Sequence, residues 1–170
     1  MRISKKYRLT AVAVLAASSV VTVAPSLSHA NSMYKDVSPS ASYYKDLVEL
    51  VNQGVISGYA DKTFKPDVAV TRGHFAQMLA QLLKLDTSKV NDPYLSDVTS
   101  SNPFYKYIAA LAGVGVDLSY EDGSFKPNQS ITRVEAAQML ADALDLKPTS
   151  GGANYTDVPA KHKAAVKAIV

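Results

Sequence analysis

The chain has 170 residues, of which 47% are hydrophobic and 19% are charged, and it contains no cysteine. Without disulfides, a small exported domain is stabilised by its core, by repeated units or by a partner. The formal net charge of +3 belongs to the first thirty residues, because the remainder carries 14 Lys and Arg against 15 Asp and Glu. The dispersed lysines form no basic stripe, which argues against a nucleic-acid partner.

Residues 1–30 have the pattern of a secretory signal peptide. A basic start is followed by an apolar run over 9–24 and by the small-x-small site Ser28-His29-Ala30, which predicts cleavage before Asn31. The apolar run is short and is interrupted by serines, a threonine and Pro25, so it is a poor membrane anchor. We therefore expect an exported protein with no membrane attachment after cleavage. The absence of cysteine is in keeping with a Gram-positive cell surface.

An internal repeat organises the rest of the chain. Residues 70–80 return at 131–141 with an offset of 61, and matching motifs before and after them keep the same register. We expect repeat 1 at 34–86, repeat 2 at 94–147, a linker at 148–154 and the start of a third repeat at 155–170. The third copy has the Asp-Val opening and a helical pattern, but no loop and no Thr-Arg motif. Since repeat units stabilise one another, this predicts either a fragment of a longer protein or a product of marginal stability.

Each repeat is predicted to fold as a helix, a long loop and a second helix, an all-α architecture. The first helices are expected near 43–52 and 104–112, and Gly54 and Gly115 are typical left-handed stops. The loops at 57–68 and 117–129 end in Lys-Pro, and Phe64 and Phe125 are expected to pack them onto the core. The second helices are expected to end near 85 and 146.

The second helices begin at Thr71 and Thr132, whose hydroxyls can cap a free backbone N–H. Glu135 completes a capping box in the second copy, whereas His74 replaces it in the first. Arg72 and Arg133 then fall at the first helical position, where the helix dipole disfavours a cation. Two interpretations stay open. Each arginine pairs with a nearby aspartate or caps a neighbouring loop, or it forms an anion site together with free helix N–H groups.

The sequence offers little support for catalysis or metal binding. Beyond residue 30 the chain has two histidines, His74 and His162, and no nucleophile motif, so no catalytic residue is assigned. EF-hand loops are excluded because counting from Asp61 or Asp122 puts an arginine where the bidentate glutamate belongs. We expect neither a metal nor a cofactor. What remains is binding, through basic and aromatic side chains beside a helix N-terminus, a combination suited to an acidic saccharide.

Several motifs occur in a fixed order, and two of them are complete in both copies. They are Tyr-x-Asp-Val, Gly-Val-Ile-Ser-Gly-Tyr at 54–59, Asp-x-x-Phe-Lys-Pro and Val/Ile-Thr-Arg. With them the chain resembles the S-layer homology (SLH) domain family, over two nearly complete repeats and the start of a third. The resemblance implies an all-α pseudo-threefold bundle of helix–loop–helix repeats with grooves between them, the third repeat being truncated here.

The resemblance also implies a function. SLH domains attach proteins noncovalently to secondary cell-wall polysaccharide, often carrying pyruvate ketals on N-acetylmannosamine, and a guanidinium can hold the pyruvyl carboxylate. The residues expected to contact the polysaccharide are Arg72, Arg133, Lys65, Lys126, Asp36, Asp97, Tyr59 and Tyr120. One alternative is an assembly module that packs against other SLH or S-layer subunits, and another is the anchor of a larger wall enzyme.

Departures from the family pattern limit what can be carried over. His74 stands in place of the usual Glu, Gly73 and Val134 in place of Ala, and Ser119 in place of the glycine found at Gly58. Lys163 occupies a position that the family often fills with Trp. Grooves that a third repeat would complete are therefore in doubt.

Overall fold

The chain folds as two successive helix–loop–helix units followed by a further helix. The computed structural model describes residues 32–117, 119–148 and 155–169. The predicted signal peptide at 1–30 and residues 149–154 of the predicted linker lie outside these ranges. The helices are α1 Tyr44–Asn52, α2 Arg72–Leu82, α3 Tyr105–Gly113, α4 Arg133–Ala143 and α5 Lys163–Ile169, with a 3-10 turn at Ala160–His162 before α5. These ranges contain no strand, which confirms the all-α prediction.

The first helix of each repeat ends as predicted. Gly54 and Gly115 follow α1 and α3 with φ angles of 71° and 87°, in the left-handed region that glycine adopts without a steric penalty.

The second helices end three residues earlier than predicted. Lys84 and Asp145, beyond the ends of α2 and α4, adopt left-handed φ angles of 53° and 48°. The N–H of Leu85 then donates back to the carbonyl of Ala80 at 3.0 Å, and Leu146 donates to Ala141 at 2.9 Å. This closure resembles a Schellman motif, and the sequence gives no sign of it because neither left-handed residue is a glycine.

The main core lies where repeat 1 meets repeat 2. Helix α2 packs on α3, and α4 packs on α5. The buried residues of this core come from α2 and from repeat 2, including α4: Ala76, Leu79, Ala80, Val98, Ile108, Leu111, Val116, Phe125 and Met139. A smaller cluster around Tyr34, Val37 and Leu47 holds α1 against the loop of repeat 1, with Phe64 partly buried at its side. Each second helix thus packs against the following repeat.

None of the helices in the described ranges has the length and hydropathy required of a membrane span.

Candidate functional site

The two Thr-Arg helix starts share the local structure that the sequence predicts. The side-chain oxygen of Thr71 accepts the N–H of His74 at 3.3 Å, and that of Thr132 accepts the N–H of Glu135 at 3.2 Å. Glu135 completes the capping box by accepting the N–H of Thr132 at 2.8 Å. Arg72 and Arg133 are the first residues of α2 and α4. The same threonine cap therefore precedes both arginines at a helix N-terminus.

Arg72 is buried against the loop of repeat 2, with a relative exposure of only 4%. Its Nε donates to the carbonyl oxygen of Phe125 at 2.7 Å. The central guanidinium carbon lies 4.5 Å from the ring centroid of Tyr120 and 4.7 Å from that of Phe125. The cation is thus held between aromatic faces, an arrangement that suits a planar and weakly hydrated guanidinium.

A carboxylate completes the environment of Arg72. One terminal nitrogen of the guanidinium lies 3.2 Å from Oε1 of Glu135, and the two side chains are 5% and 14% exposed. The hydroxyl of Tyr120 donates to the same carboxylate oxygen. Burial raises the pKa of Tyr120, and the hydrogen bond to Glu135 adds to this shift. Burial opposes ionisation of Glu135, but hydrogen bonds from Tyr120 and Thr132 and the charge of Arg72 hold its pKa below the usual value.

Backbone groups close the same contact. The N–H of Arg72 donates to the carbonyl of Gln129 at 2.8 Å, and that of Gly73 donates to Pro127 at 2.9 Å. Thr71 and Ser130 form an isolated antiparallel bridge. At α2 the helix N–H groups and the guanidinium are therefore occupied by the neighbouring repeat, as in the first of the two interpretations, although the carboxylate that pairs with Arg72 belongs to a glutamate and not to an aspartate. Direct contact of Arg72 with a ligand stays a prediction.

Arg133 has a different environment. It is exposed and lines a cleft of about 530 Å³ between α4 and α5, which we call the α4–α5 cleft. Within the described ranges, Arg133 makes no side-chain hydrogen bond or ion pair, and the backbone N–H groups of Arg133 and Val134 find no acceptor. Here the second interpretation, a cation beside free helix N–H groups, is the one that the geometry matches. Its contact with polysaccharide likewise stays a prediction.

The predicted aspartates hold the loops. Asp36 accepts the backbone N–H groups of Phe64 and Lys65 at 2.8 and 2.7 Å. Asp97 accepts the N–H groups of Phe125 and Lys126 at 2.7 Å each. Each carboxylate therefore fixes the Phe-Lys-Pro segment of its own repeat, a task for which both acceptor oxygens are needed.

Each loop carries a lysine stacked over a tyrosine. The Nζ of Lys65 lies 4.2 Å from the ring centroid of Tyr59, and that of Lys126 lies 4.3 Å from Tyr120. Both lysines have left-handed φ angles, 57° and 60°, which turn the chain towards the proline. Tyr59 is 51% exposed, whereas Tyr120 is half-buried beneath Arg72. The structure thus brings Arg72, Tyr120 and Lys126 together, and it separates them from Tyr59, Lys65 and Arg133.

A second, smaller groove of about 170 Å³ lies beside the buried arginine, and we call it the Arg72 groove. Its lining includes Arg72, Tyr120 and Glu135 together with Asp117, Ser119, Lys161 and His162. Sequence reasoning missed Lys161 and His162 as site residues, because the third copy has no Thr-Arg motif to attract attention. Burial lowers the pKa of His162, and the charge of Lys161 lowers it further.

No group of three or more metal-ligating His, Asp or Glu side chains occurs in the part of the chain that the structure describes.

Comparison with known proteins identifies the repeats. Residues 34–76 and 95–137 each match the S-layer homology domain, and together these matches cover half of the chain. The chain belongs to the SLH domain family. Both matches run from the start of a repeat through its loop and into the Thr-Arg helix, so the motifs on which the sequence resemblance rested are confirmed.

Several relatives carry the same repeats in larger proteins. The surface-layer 125 kDa protein of Lysinibacillus sphaericus is 30% identical over 154 residues, 90% of this chain and 12% of that protein. The cellulosome-anchoring protein of Acetivibrio thermocellus is 30% identical over 136 residues, 77% of this chain and 30% of that protein. An endoglucanase of a Bacillus species is 37% identical over 111 residues, 65% of this chain and 11% of that protein. The chain thus spans under a third of the length of each of these relatives.

These findings support a cell-surface anchoring module. SLH membership and the surface-layer relatives indicate a secreted protein of the Gram-positive cell surface. The module itself is of a binding type, although the endoglucanase relative shows that SLH repeats also occur in enzymes.

Proposed function

We propose that these SLH repeats anchor the protein noncovalently to an acidic secondary cell-wall polysaccharide, with a pyruvylated glycan as the ligand class. SLH family membership supports anchoring. The observation that carries the glycan is the Arg72 groove, where aromatic, hydroxyl and cationic groups from successive repeats converge. The groove has a volume of about 170 Å³.

The groove offers the three kinds of contact that an acidic sugar uses. Tyr120 provides an aromatic face and Ser119 a hydroxyl. Lys161, exposed at the rim, provides a cation for a carboxylate. Arg72 stands in the wall, already paired with Glu135, so that a carboxylate in the groove would share the guanidinium with this partner.

The remaining predicted contacts extend along the surface from this groove. Lys126 stacks on the Tyr120 ring, and Asp97 fixes the loop that carries both Lys126 and Phe125. In repeat 1 the equivalent surface is formed by Tyr59, Lys65 and Asp36, with Tyr59 half exposed. We propose this second surface as a further contact for a polymer that spans several sugars.

A pulldown with purified cell-wall sacculi tests the proposal. The protein should bind native sacculi and lose binding once the secondary polymer has been removed chemically. Lys161→Ala should weaken binding about tenfold, a change of about 1.4 kcal/mol for a lost charge-assisted contact. Equal binding to native and stripped sacculi would contradict the proposal.

Two control variants separate ligand contact from folding. Lys45→Ala removes an exposed cation of α1, away from the groove, and should leave binding unchanged. Tyr120→Phe keeps the ring but removes the hydroxyl that binds Glu135, and should weaken binding less than Lys161→Ala. Circular dichroism on each variant checks that the helices are retained.

The relatives also suggest what this module attaches to the cell wall. The names of two relatives describe a cellulosome-anchoring protein and an endoglucanase. We propose that this module likewise holds a larger surface protein or a wall enzyme on the polymer.

A further inference from the structure

The Arg72 groove contains a histidine, His162, from the 3-10 turn that precedes α5. We propose that His162, once protonated, binds the carboxylate of the acidic sugar, so that attachment to the polymer strengthens as the pH falls. The inference rests on the proposed function, because it adds a ligand contact to the same groove and links binding there to the uptake of a proton.

A chain of hydrogen bonds fixes which nitrogen of His162 carries the proton in the neutral ring. On α4 the side-chain nitrogen of Gln138 donates to Oδ1 of Asp142 at 2.8 Å. An ionised carboxylate only accepts, so the amide oxygen of Gln138 is the atom that faces the imidazole. This oxygen lies 3.2 Å from Nδ1 of His162. Because an amide oxygen cannot donate, the neutral ring holds its proton on Nδ1.

The other ring nitrogen of His162 is left for a ligand. Within the described residues Nε2 has no hydrogen-bond partner, and the partly buried side chain lines the groove. In the neutral ring Nε2 is an acceptor whose lone pair repels a carboxylate. In the protonated ring the same atom is a charged donor, and it can make a charge-assisted hydrogen bond to a carboxylate. One proton therefore turns an unfavourable contact into a favourable one.

The formal charges around the groove increase the effect of this proton. Arg72 and Lys161 are the cations that line the groove, and Glu135 and Asp117 are the carboxylates. With a neutral His162 these two positive and two negative charges cancel, and Arg72 is already paired with Glu135 at 3.2 Å. A protonated imidazole gives the groove one excess positive charge, which attracts an anion.

The surroundings keep His162 mostly neutral above pH 7 in the ligand-free protein. Burial lowers the pKa of His162 below its ordinary value of 6.5, and the charge of Lys161 lowers it further. The carboxylates of Glu135, Asp117 and Asp142 act in the opposite direction without reversing the shift. A ligand carboxylate beside Nε2 would add to these negative charges and raise the pKa, so ligand and proton are taken up together.

Binding to native sacculi at two pH values tests the proposal. The wild-type chain should bind about tenfold more tightly at pH 5 than at pH 8, the gain expected from one charge-assisted hydrogen bond. His162→Gln keeps a polar side chain that does not titrate, and should bind with nearly the same affinity at both pH values. His74→Gln is the matched control, because His74 is exposed on α2 and bonded to Thr71, outside the groove. This control should keep the tenfold ratio.

An NMR titration of the histidine ring protons separates ligand contact from a structural role of His162. Soluble polysaccharide released from the sacculi should raise the pKa of His162 by about one unit, since a tenfold coupling between proton and ligand is reciprocal. The same polysaccharide with its pyruvyl groups removed by mild acid should leave the pKa of His162 unchanged. A histidine that only joins the 3-10 turn to α4 would respond to neither polymer.

The possible failures are distinguishable. Equal binding at pH 5 and pH 8, or a pH dependence that survives His162→Gln, would overturn this inference and leave anchoring through the groove intact. A shift of His162 with the pyruvyl-free polymer would also overturn it, because the proton would then not accompany the carboxylate. Absence of binding to native sacculi at both pH values would overturn the inference together with the proposed function.

Discussion

The two Thr-Arg helix starts differ far more in their surroundings than in their sequences. Both begin with a threonine cap and an arginine at the first helical position. Arg72 is 4% exposed and bound to the loop of the next repeat, whereas Arg133 is exposed at the edge of an open cleft. The burial of a motif arginine is therefore decided by the loop that follows it in space, and not by the motif.

This difference separates two tasks that one motif can perform. In the Arg72 site a cation that a helix N-terminus disfavours is compensated by Glu135, two aromatic faces and a backbone carbonyl. Its contribution is to join repeats. In the Arg133 site the same group has no such compensation within the described residues, which leaves it available for recognition.

The largest expected effect is a difference in stability between variants of the two arginines. Arg72→Ala should destabilise the domain by about 3 kcal/mol, because it leaves Glu135 unpaired in a mostly buried site. Arg133→Ala should change the free energy of unfolding by no more than about 0.5 kcal/mol, as for an exposed residue. Urea denaturation of both variants measures the difference. Equal destabilisation would show that the two arginines contribute equally to the stability of the fold.

The residue after each arginine gives the second prediction. A Cβ on Gly73 would lie 2.4 Å from the ring of Phe104, so α2 and α3 approach too closely for a larger side chain. Gly73→Ala should therefore cost about 2 kcal/mol despite its better helix propensity, since the ring of Phe104 must move. Val134→Ala, at the equivalent position of α4, should stay within about 1 kcal/mol. A stabilised Gly73→Ala variant, measured by thermal unfolding, would contradict the close packing.

Much of the fold follows from the sequence because it depends on local chemistry. The 61-residue register, the threonine caps and the glycine stops each act within a few residues. The early ends of α2 and α4 could not be predicted from the sequence, because Lys84 and Asp145 adopt a left-handed conformation that is usually marked by a glycine.

The site was less predictable because it depends on contacts between repeats. The sequence placed both arginines correctly at a helix N-terminus and left open whether they pair internally. Only the folded chain brings Glu135 to Arg72, 63 positions apart, while nothing equivalent reaches Arg133 in the described residues. Lys161 and His162 also line the Arg72 groove, which the sequence did not predict because no motif of the third copy marks them.

A smaller effect should appear at acid pH. Glu135 has a pKa below its ordinary value of 4.5, so it contributes stability that is complete above pH 4.5 and is lost as the pH falls through the folded-state pKa. Between pH 6 and pH 3 the wild-type protein should lose more stability than Glu135→Gln, which cannot titrate at this position. Urea midpoints at the two pH values measure this. Identical losses would mean that the Arg72–Glu135 pair adds nothing to folding.

The smallest effect distinguishes the two threonine caps. Thr132→Ala should cost about 1 kcal/mol, because it removes one half of a capping box at a helix start whose first N–H groups find no other acceptor in the described residues. Thr71→Ala should cost only about 0.5 kcal/mol. At α2 the N–H groups of Arg72 and Gly73 are already bound by loop carbonyls, so the helix start keeps two of its hydrogen bonds. If thermal unfolding gives the reverse order, the loop of repeat 2 does not support the start of α2, and the two arginine sites are more alike than their burial implies.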